Sequence, residues 1–224
     1  HSALSKAELL HLRLHASFPK ISKLCEQMEG ITPLTAKDLP AHRCIFCDEA
    51  NCKKQPMGSE SKTVYASDQD GWSVDQFDLG QDTLTTDGNR YVFLFVMLHS
   101  RFIHVELTKD RSADSVCEAF KNVITKQGFA PKMIRSDNGK EFESPEWISL
   151  CDQRNIKREK SNPHSQHQNG IAEAGVNKLA RYMRLHLNMS GLENEFWGHA
   201  VRHGADVVNH LPHRSINNEI PIIK

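Results

Sequence analysis

The chain has 224 residues, and 28 basic side chains balance 28 acidic ones. It contains no stretch of eighteen or more apolar residues and no signal-peptide pattern, which excludes a membrane-spanning segment and predicts an intracellular protein with reduced cysteines. The length is sufficient for a small N-terminal module followed by one core domain of common size.

The first predicted helix contains a pair of histidines. Ser5 and Glu8 form a Ser-x-x-Glu capping box directly before an apolar run, so the helix is predicted to begin there. That start places His11 and His15 on the second and third turns. Since residues four apart lie on one side of a helix, the two imidazoles can bind the same ion.

Two cysteines downstream complete a predicted structural zinc site. Cys44 and Cys47 are separated by two residues, and with the histidine pair they supply the four N and S ligands of tetrahedral Zn²⁺. His42 and Cys52 lie close enough in sequence to compete as ligands. So short a module needs its metal to fold. We therefore predict a zinc-binding domain over residues 1–58 and a polar linker over residues 59–70.

Residues 71–224 are predicted to form an α/β core with a mixed five-stranded sheet flanked by helices. Three strands of an antiparallel meander come first, and helices then alternate with strands, which is the order of a layered α/β fold. Before this core, a second helix is predicted over residues 19–28. Within the core we predict strands starting at Trp72 and covering 90–98, 101–108, 132–136 and 156–160, and helices over 112–127, 145–153, from about 170 to 188, and 193–210.

Three carboxylates in this core, Asp75, Asp137 and Glu173, are predicted to form a second metal site. Asp137 follows a predicted strand and precedes Asn-Gly, and Glu173 lies in the first turn of the long helix. Carboxylates from distant parts of a chain are how proteins hold two Mg²⁺ or Mn²⁺ ions that share a phosphate. The arrangement predicts phosphodiester chemistry.

The charge of the chain is unevenly distributed around the third carboxylate. Positions 154 to 184 contain seven basic residues and only two acidic ones, Glu159 and Glu173. A local basic stripe of this kind is the pattern expected for contact with DNA phosphates. The predicted DNA contacts in this stripe are Lys160, Lys178, Arg181 and Arg184.

Two segments resemble a known family of enzymes. Residues 136–142, Ser-Asp-Asn-Gly-Lys-Glu-Phe, and residues 163–173, Pro-His-Ser-Gln-His-Gln-Asn-Gly-Ile-Ala-Glu, are similar to the second and third acidic motifs of retroviral and retrotransposon integrases, most closely those of copia-type elements. The upstream His-His-Cys-Cys set is similar to the zinc-binding N-terminal domain of integrases. After the glutamate the sequence departs from the family pattern, because Asn177 follows by four positions instead of three.

The resemblance implies an RNase H-like core with an Asp, Asp, Glu triad. Asp137 and Glu173 match the second and third acids of that triad, while Asn169 and Gly170 match the loop beside the DNA. For the first acid, an aromatic residue followed by a short apolar strand and Asp favours Asp75, with Asp78 as the alternative.

The resemblance also implies a function. Integrases trim the 3′ ends of retroelement cDNA and join them to target DNA, as homo-oligomers on double-stranded DNA, which predicts a nuclear protein delivered in a virus-like particle or pre-integration complex. The sequence ends at Lys224, so the basic C-terminal domain of integrases is expected to be missing. The alternatives are a DNA transposase or nuclease of the same fold, or a host-adopted integrase that acts as a zinc-dependent DNA-binding module.

Overall fold

The protein is built around one five-stranded mixed sheet. The computed structural model describes residues 5–28, 34, 44, 47, 64–78, 84–160 and 170–224. The predicted α/β class and the RNase H-like strand order are confirmed. The strands are β1 (Trp72–Asp78), β2 (Tyr91–Met97), β3 (Ile103–Thr108), β4 (Met133–Ser136) and β5 (Lys157–Lys160).

The strands lie in the order β3-β2-β1-β4-β5. The first three pair antiparallel as a meander, whereas β4 and β5 run parallel to β1. Trp72 of β1 pairs with Ile134 of β4, so positions 75 and 137 each lie three residues further along neighbouring parallel chains. The sheet therefore brings the first and second predicted acids to the same end.

Helices cover both faces of this sheet. Ser112 caps the third helix by accepting a hydrogen bond from the Ser115 amide, and Gly128 ends it in the left-handed conformation with φ 75°, as the sequence predicts. No helix in the described part of the chain is both long and apolar enough to cross a bilayer. The helices are α1 (Lys6–Leu14), α2 (Phe18–Gln27), α3 (Ala113–Gln127), α4 (Pro145–Gln153), α5 (Gly170–Ser190) and α6 (Trp197–Asn209).

Each face of the sheet has its own apolar core. Trp72, Phe93 and Phe95 face α3 and α4, while Leu94 and Val96 face α5 and α6. The N-terminal helices join the second of these cores, because buried side chains of α2 pack in the same cluster as α5 and α6. The boundaries predicted for the zinc domain and the linker stay predictions, since most of residues 29–63 lie outside the described part.

Three local details differ from the sequence expectation. Helix α1 ends at Leu14, and His15 is its C-cap with φ 45°, so only His11 lies within the helix. The predicted helix over 193–210 begins with a separate 3₁₀ turn, and α6 itself starts at Trp197. Finally, the three-to-four spacing of apolar residues in α5 predicts a buried stripe at Ala172, Val176, Leu179, Met183 and Leu187, whereas the buried residues are Ala172, Gly175, Leu179, Tyr182, Met183 and Leu185.

Candidate metal sites and nucleic-acid interface

Asp75 lies in the middle of β1, half-buried, on the side of the sheet that α5 covers. Alternation along the strand sends Trp72 and Val74 into the core under α3 and α4, so the side chain of Asp75 points the other way. Its Oδ1 accepts a hydrogen bond from the Gln76 amide at 2.8 Å.

The carboxyl of Asp75 has negative neighbours. Burial raises its pKa most, and the charges of Asp137, Glu173 and Glu141 add to the shift while the Gln76 amide opposes it, so that the pKa is about 6. A shift with these causes requires the predicted acids to lie within electrostatic reach of one another. The fold thus brings the three acids of the sequence prediction into one neighbourhood.

Asp137 immediately follows β4, where the chain turns. Its Oδ1 accepts a hydrogen bond from the Gly139 amide at 3.0 Å, which fixes the side chain at the strand end. The residue is half-buried and lines a cleft of about 600 Å³ together with the basic side chains Arg111 and Lys140. The turn therefore presents a carboxylate at an accessible edge of the sheet.

Glu173 lies in the first turn of α5 and is exposed. A carboxylate at this position is favoured by the helix dipole. The helix approaches the sheet closely at Gly175, where an added Cβ would be 2.8 Å from Leu94 Cδ2 and 3.4 Å from Val96 Cγ2. Because Gly175 is two residues after Glu173, this close approach sets how near the third acid comes to Asp75.

Sequence reasoning missed a hydrogen bond that connects two of these elements. Gln76 of β1 donates from its side-chain amide to the carboxylate of Glu141, in the 3₁₀ turn Lys140–Glu143 after Asp137. Glu141 is only 8% exposed, which is unusual for a carboxylate. The bond links β1 to the turn that holds Asp137. The sequence feature that could have indicated this bond is the glutamate in Asp-Asn-Gly-Lys-Glu-Phe.

Asp78, the alternative first acid, is in a different environment. It lies at the exposed end of β1, and its Oδ2 forms an ion pair with the Arg90 guanidinium at 2.8 Å. The geometry favours Asp75 over Asp78 as the first acid.

The predicted zinc ligands lie together. One potential ligand atom from each of His11, His15, Cys44 and Cys47 is within 4.8 Å of all the others. Cys47 Sγ is 3.4 Å from His11 Nε2 and 3.4 Å from His15 Nδ1. A tetrahedral zinc ion with bonds of about 2.0–2.3 Å has ligand atoms roughly 3.5 Å apart, and the observed spacings fit this value. The donor set and its spacing therefore fit a structural Zn²⁺.

Contacts behind the ligands orient the two imidazoles. His11 donates from Nδ1 to the Ala16 carbonyl at 2.8 Å, which leaves Nε2 facing the thiols. His15 presents Nδ1 to the thiols while its Nε2 contacts the Met189 sulfur at the end of α5. Burial and the adjacent Cys44 raise the pKa of Cys47 to about 11, a shift that a bound zinc ion would reverse.

The predicted DNA contacts do not form one open basic face. Arg184 is exposed, and Lys160 Nζ is 2.8 Å from Glu143 Oε1. Lys178 is half-buried and lines cavities beside α5, because the helix face it occupies is covered by other parts of the chain. Arg181 lines one of these cavities. Gly170 begins α5, and Asn169 lies outside the described residues.

Comparisons with known proteins agree with this geometry. Residues 69–166 match the integrase core domain family. The retrovirus-related Pol polyprotein from transposon TNT 1-94 of Nicotiana tabacum is 33% identical over 138 residues, which are 60% of this chain and 10% of that protein. The chain thus spans about a tenth of that relative's length.

Solved structures show the same fold. The HTLV-2 integrase catalytic core domain in complex with magnesium, in its trimeric form, matches with a TM-score of 0.54 and 18% identity over 69% of this chain and 95% of that one. The simian T-cell lymphotropic virus intasome in complex with PP2A regulatory subunit B56 gamma matches with a TM-score of 0.50 and 17% identity, over 64% and 50% of the respective chains. Residues 69–166 are thus similar in sequence to the integrase core domain family, and the described core shares the fold of retroviral integrase catalytic cores.

Proposed function

We propose that this protein is a retroelement integrase that trims the 3′ ends of element cDNA and joins them to target DNA. The observation that supports the proposal is the convergence of Asp75, Asp137 and Glu173 at one end of the sheet of an integrase core domain. Two bound Mg²⁺ or Mn²⁺ ions would supply the activation of the attacking oxygen and the stabilisation of the leaving one.

The side chains have separate tasks in this proposal. Asp75 and Asp137 supply rigid oxygen ligands from the sheet, whereas Glu173 supplies one from the start of α5. Burial and the nearby negative charges raise the pKa of Asp75, and this concentration of carboxylates makes the site receptive to divalent cations. The Gln76 to Glu141 bond holds the Asp137 turn in register with β1.

The zinc site is proposed to be structural. Its four N and S donors leave no open position for a substrate, and His15 contacts Met189 of the core helix α5. A bound Zn²⁺ would therefore fix the N-terminal helices and help hold them against the catalytic core.

The proposed partners are double-stranded DNA and further copies of the chain. Joining two cDNA ends to chromosomal DNA requires an oligomer that bridges the ends. It also implies action in the nucleus, after passage in a virus-like particle or pre-integration complex. The proposed DNA contacts among the described residues are Lys160, Gly170, Lys178, Arg181 and Arg184, together with Asn169 from the adjoining segment.

A strand-transfer assay tests the proposal. Zinc-loaded protein is incubated with Mg²⁺, a duplex with a recessed 3′-hydroxyl end and a supercoiled plasmid. We expect joined products, with losses of about a thousandfold or more in the Asp75→Asn, Asp137→Asn and Glu173→Gln variants. Asp78→Asn is the matched control, because it removes a carboxylate from the same strand without touching the site.

The outcomes separate the alternatives. Nicking of the plasmid without joining would indicate a nuclease of the same fold. DNA binding without either reaction would indicate a zinc-dependent binding module. Unchanged joining by the Asp137→Asn variant would refute the catalytic role of the three acids.

A further inference from the structure

A basic cavity lies beside α5, and its lining residues do not include Asp75, Asp137 or Glu173. One chamber of about 210 Å³ is formed between α2, α5 and the segment after α6, and Lys20 and Lys178 line it. A neighbouring chamber of about 580 Å³ is lined by Arg101 from the turn between β2 and β3. Lys178 and His213 line both chambers, so the two form one continuous basic surface.

No acidic side chain lines either chamber among the described residues. This composition contrasts with the cleft beside Asp137, where Arg111 and Lys140 face the carboxylates of Asp137 and Glu141. Elsewhere on the described surface, basic side chains commonly lie within 4 Å of an acid, as Lys160 does with Glu143. The cavity collects positive charge without the usual counter-charge.

Among the described residues, Arg101 is the clearest case of a basic group in this cavity without a partner for two of its donors. Its Nε and Nη1 atoms are buried, and neither has a hydrogen-bond partner within the described structure. A buried guanidinium nitrogen without an acceptor is costly, because the group has lost water and gained nothing in return. Arg101 also adopts a left-handed backbone conformation, with φ 65°, that places it in the turn beside the cavity.

The neighbouring basic groups have lowered pKa values. Burial, together with the charges of Lys20 and Arg101, lowers the pKa of Lys178 to about 8. Burial and the charges of Lys178, Lys20 and Arg101 lower the pKa of His213 to about 3. Such a cluster is stabilised by an anion that satisfies several of its donors at once.

We propose that this cavity is an anion site that takes a phosphate group, held by Lys20, Arg101 and Lys178. The arrangement suits phosphate because an arginine fork and two ammonium groups line adjoining chambers that share Lys178 and come from three separate parts of the fold. The phosphate is either a free ion or part of a nucleic-acid backbone. In both cases it acts as a bridge between α2, α5 and the β2–β3 turn.

Thermal unfolding in Mg²⁺-free buffer at constant ionic strength tests the site, with sodium phosphate replacing sodium chloride at pH 7.5. We expect phosphate to raise the Tm of the zinc-loaded wild-type protein by about 3 °C or more. Lys178→Met keeps the aliphatic stem and removes the charge. It should abolish the phosphate response while leaving the phosphate-free Tm equal to or above the wild-type value, which a purely structural lysine would not do.

Two further variants complete the design. Lys20→Met, on a different helix, should lose the response independently of any folding defect at position 178. Lys121→Met removes an exposed charge from α3 on the opposite face of the sheet and should keep the full response.

A parallel series of thermal unfolding measurements with a short DNA duplex in phosphate-free buffer shows whether the bound phosphate is a free ion or part of DNA. Stabilisation by inorganic phosphate that depends on Lys178 indicates a free ion, and stabilisation by the duplex alone with the same dependence indicates a backbone phosphate. The proposal is overturned if neither probe stabilises the wild type, or if Lys178→Met and Lys20→Met respond as the wild type does.

Discussion

The two candidate metal sites of this protein differ in how tightly their ligands converge. The imidazoles and thiols of the zinc site have all their donor atoms within 4.8 Å of one another. The acids Asp75, Asp137 and Glu173 do not form such a group among the described residues, although they act on each other electrostatically. The difference follows from charge, because neutral donors can be packed together whereas carboxylates repel.

The comparison shows two ways of preparing a metal site. The zinc site is organised locally, by a capped helix and by a backbone carbonyl that orients His11. The carboxylate site is organised by the sheet, through the parallel register of β1 and β4 and the close approach of α5 at Gly175. The first should depend on its metal for local folding, and the second should exist before its metal binds.

Removal of the thiols should have the largest effect. A Cys44→Ser, Cys47→Ser variant should lose stoichiometric zinc and several kcal/mol of the stability of the N-terminal helices. Metal analysis and limited proteolysis measure both quantities. Cys117→Ser, which changes a buried cysteine of α3 itself, should retain its zinc. Retention of zinc by the double variant would show that these thiols do not bind it.

The link between β1 and the Asp137 turn should matter for catalysis. Gln76→Leu leaves the Glu141 carboxylate without its amide donor, so we expect the strand-transfer rate at saturating Mg²⁺ and DNA to fall about tenfold. DNA affinity should change little, because Gln76 acts by positioning. Gln153→Leu, on the surface of α4, is the control, and a rate equal to that of the control would show that the link has no role.

The raised pKa of Asp75 predicts that the stability of the protein depends on pH. A carboxyl whose pKa is raised to about 6 in the folded state destabilises that state when it is ionised. This penalty is absent below the unfolded pKa of about 4. It grows as the pH rises through 6. In Mg²⁺-free buffer at pH 8, Asp75→Asn should therefore increase the free energy of unfolding by about 1–2 kcal/mol. At pH 5 the gain should be about half as large.

Urea unfolding at both pH values measures this gain. Asp78→Asn loses an exposed ion pair and should show no gain at either pH. A stabilisation that is the same at pH 5 and pH 8 would show that the pKa of Asp75 is not raised in the folded protein.

The smallest effect is expected where α5 approaches the sheet. Gly175→Ala places a methyl group 2.8 Å from Leu94 Cδ2 and should destabilise the protein by about 1 kcal/mol. Gly170→Ala, where nothing lies within 4 Å, is the control on the same helix. In a double-mutant cycle, shortening Leu94 to Ala should remove the penalty at position 175, and strictly additive effects would argue against the contact.

Much of this architecture could be predicted from the sequence, because its signals are local. The capping box at Ser5 and Glu8, the Ser112 cap with Gly128, and the turn after Asp137 each depend on a few neighbouring residues. The grouping of the acids came from family resemblance, since no local pattern shows that positions 75 and 173 meet.

What the sequence did not predict depends on tertiary packing. Lys178 was predicted to contact DNA as part of the basic stripe, and its position beside the segment after α6 could not be foreseen from that stripe. The Gln76 to Glu141 bond joins residues 65 positions apart, and Gly175 matters only because β2 lies beneath it. His15 lies beyond the end of α1 because the chain turns there towards α2.

Binding of Mn²⁺ to the zinc-loaded protein, followed by electron paramagnetic resonance, tests most directly whether the three acids form one metal site. The wild type and the Asp78→Asn variant should bind Mn²⁺ with equal affinity, and Asp75→Asn, Asp137→Asn and Glu173→Gln should each weaken binding by about tenfold or more. Equal binding by the wild type and the Asp137→Asn variant, or a loss in Asp78→Asn instead of Asp75→Asn, would contradict this assignment.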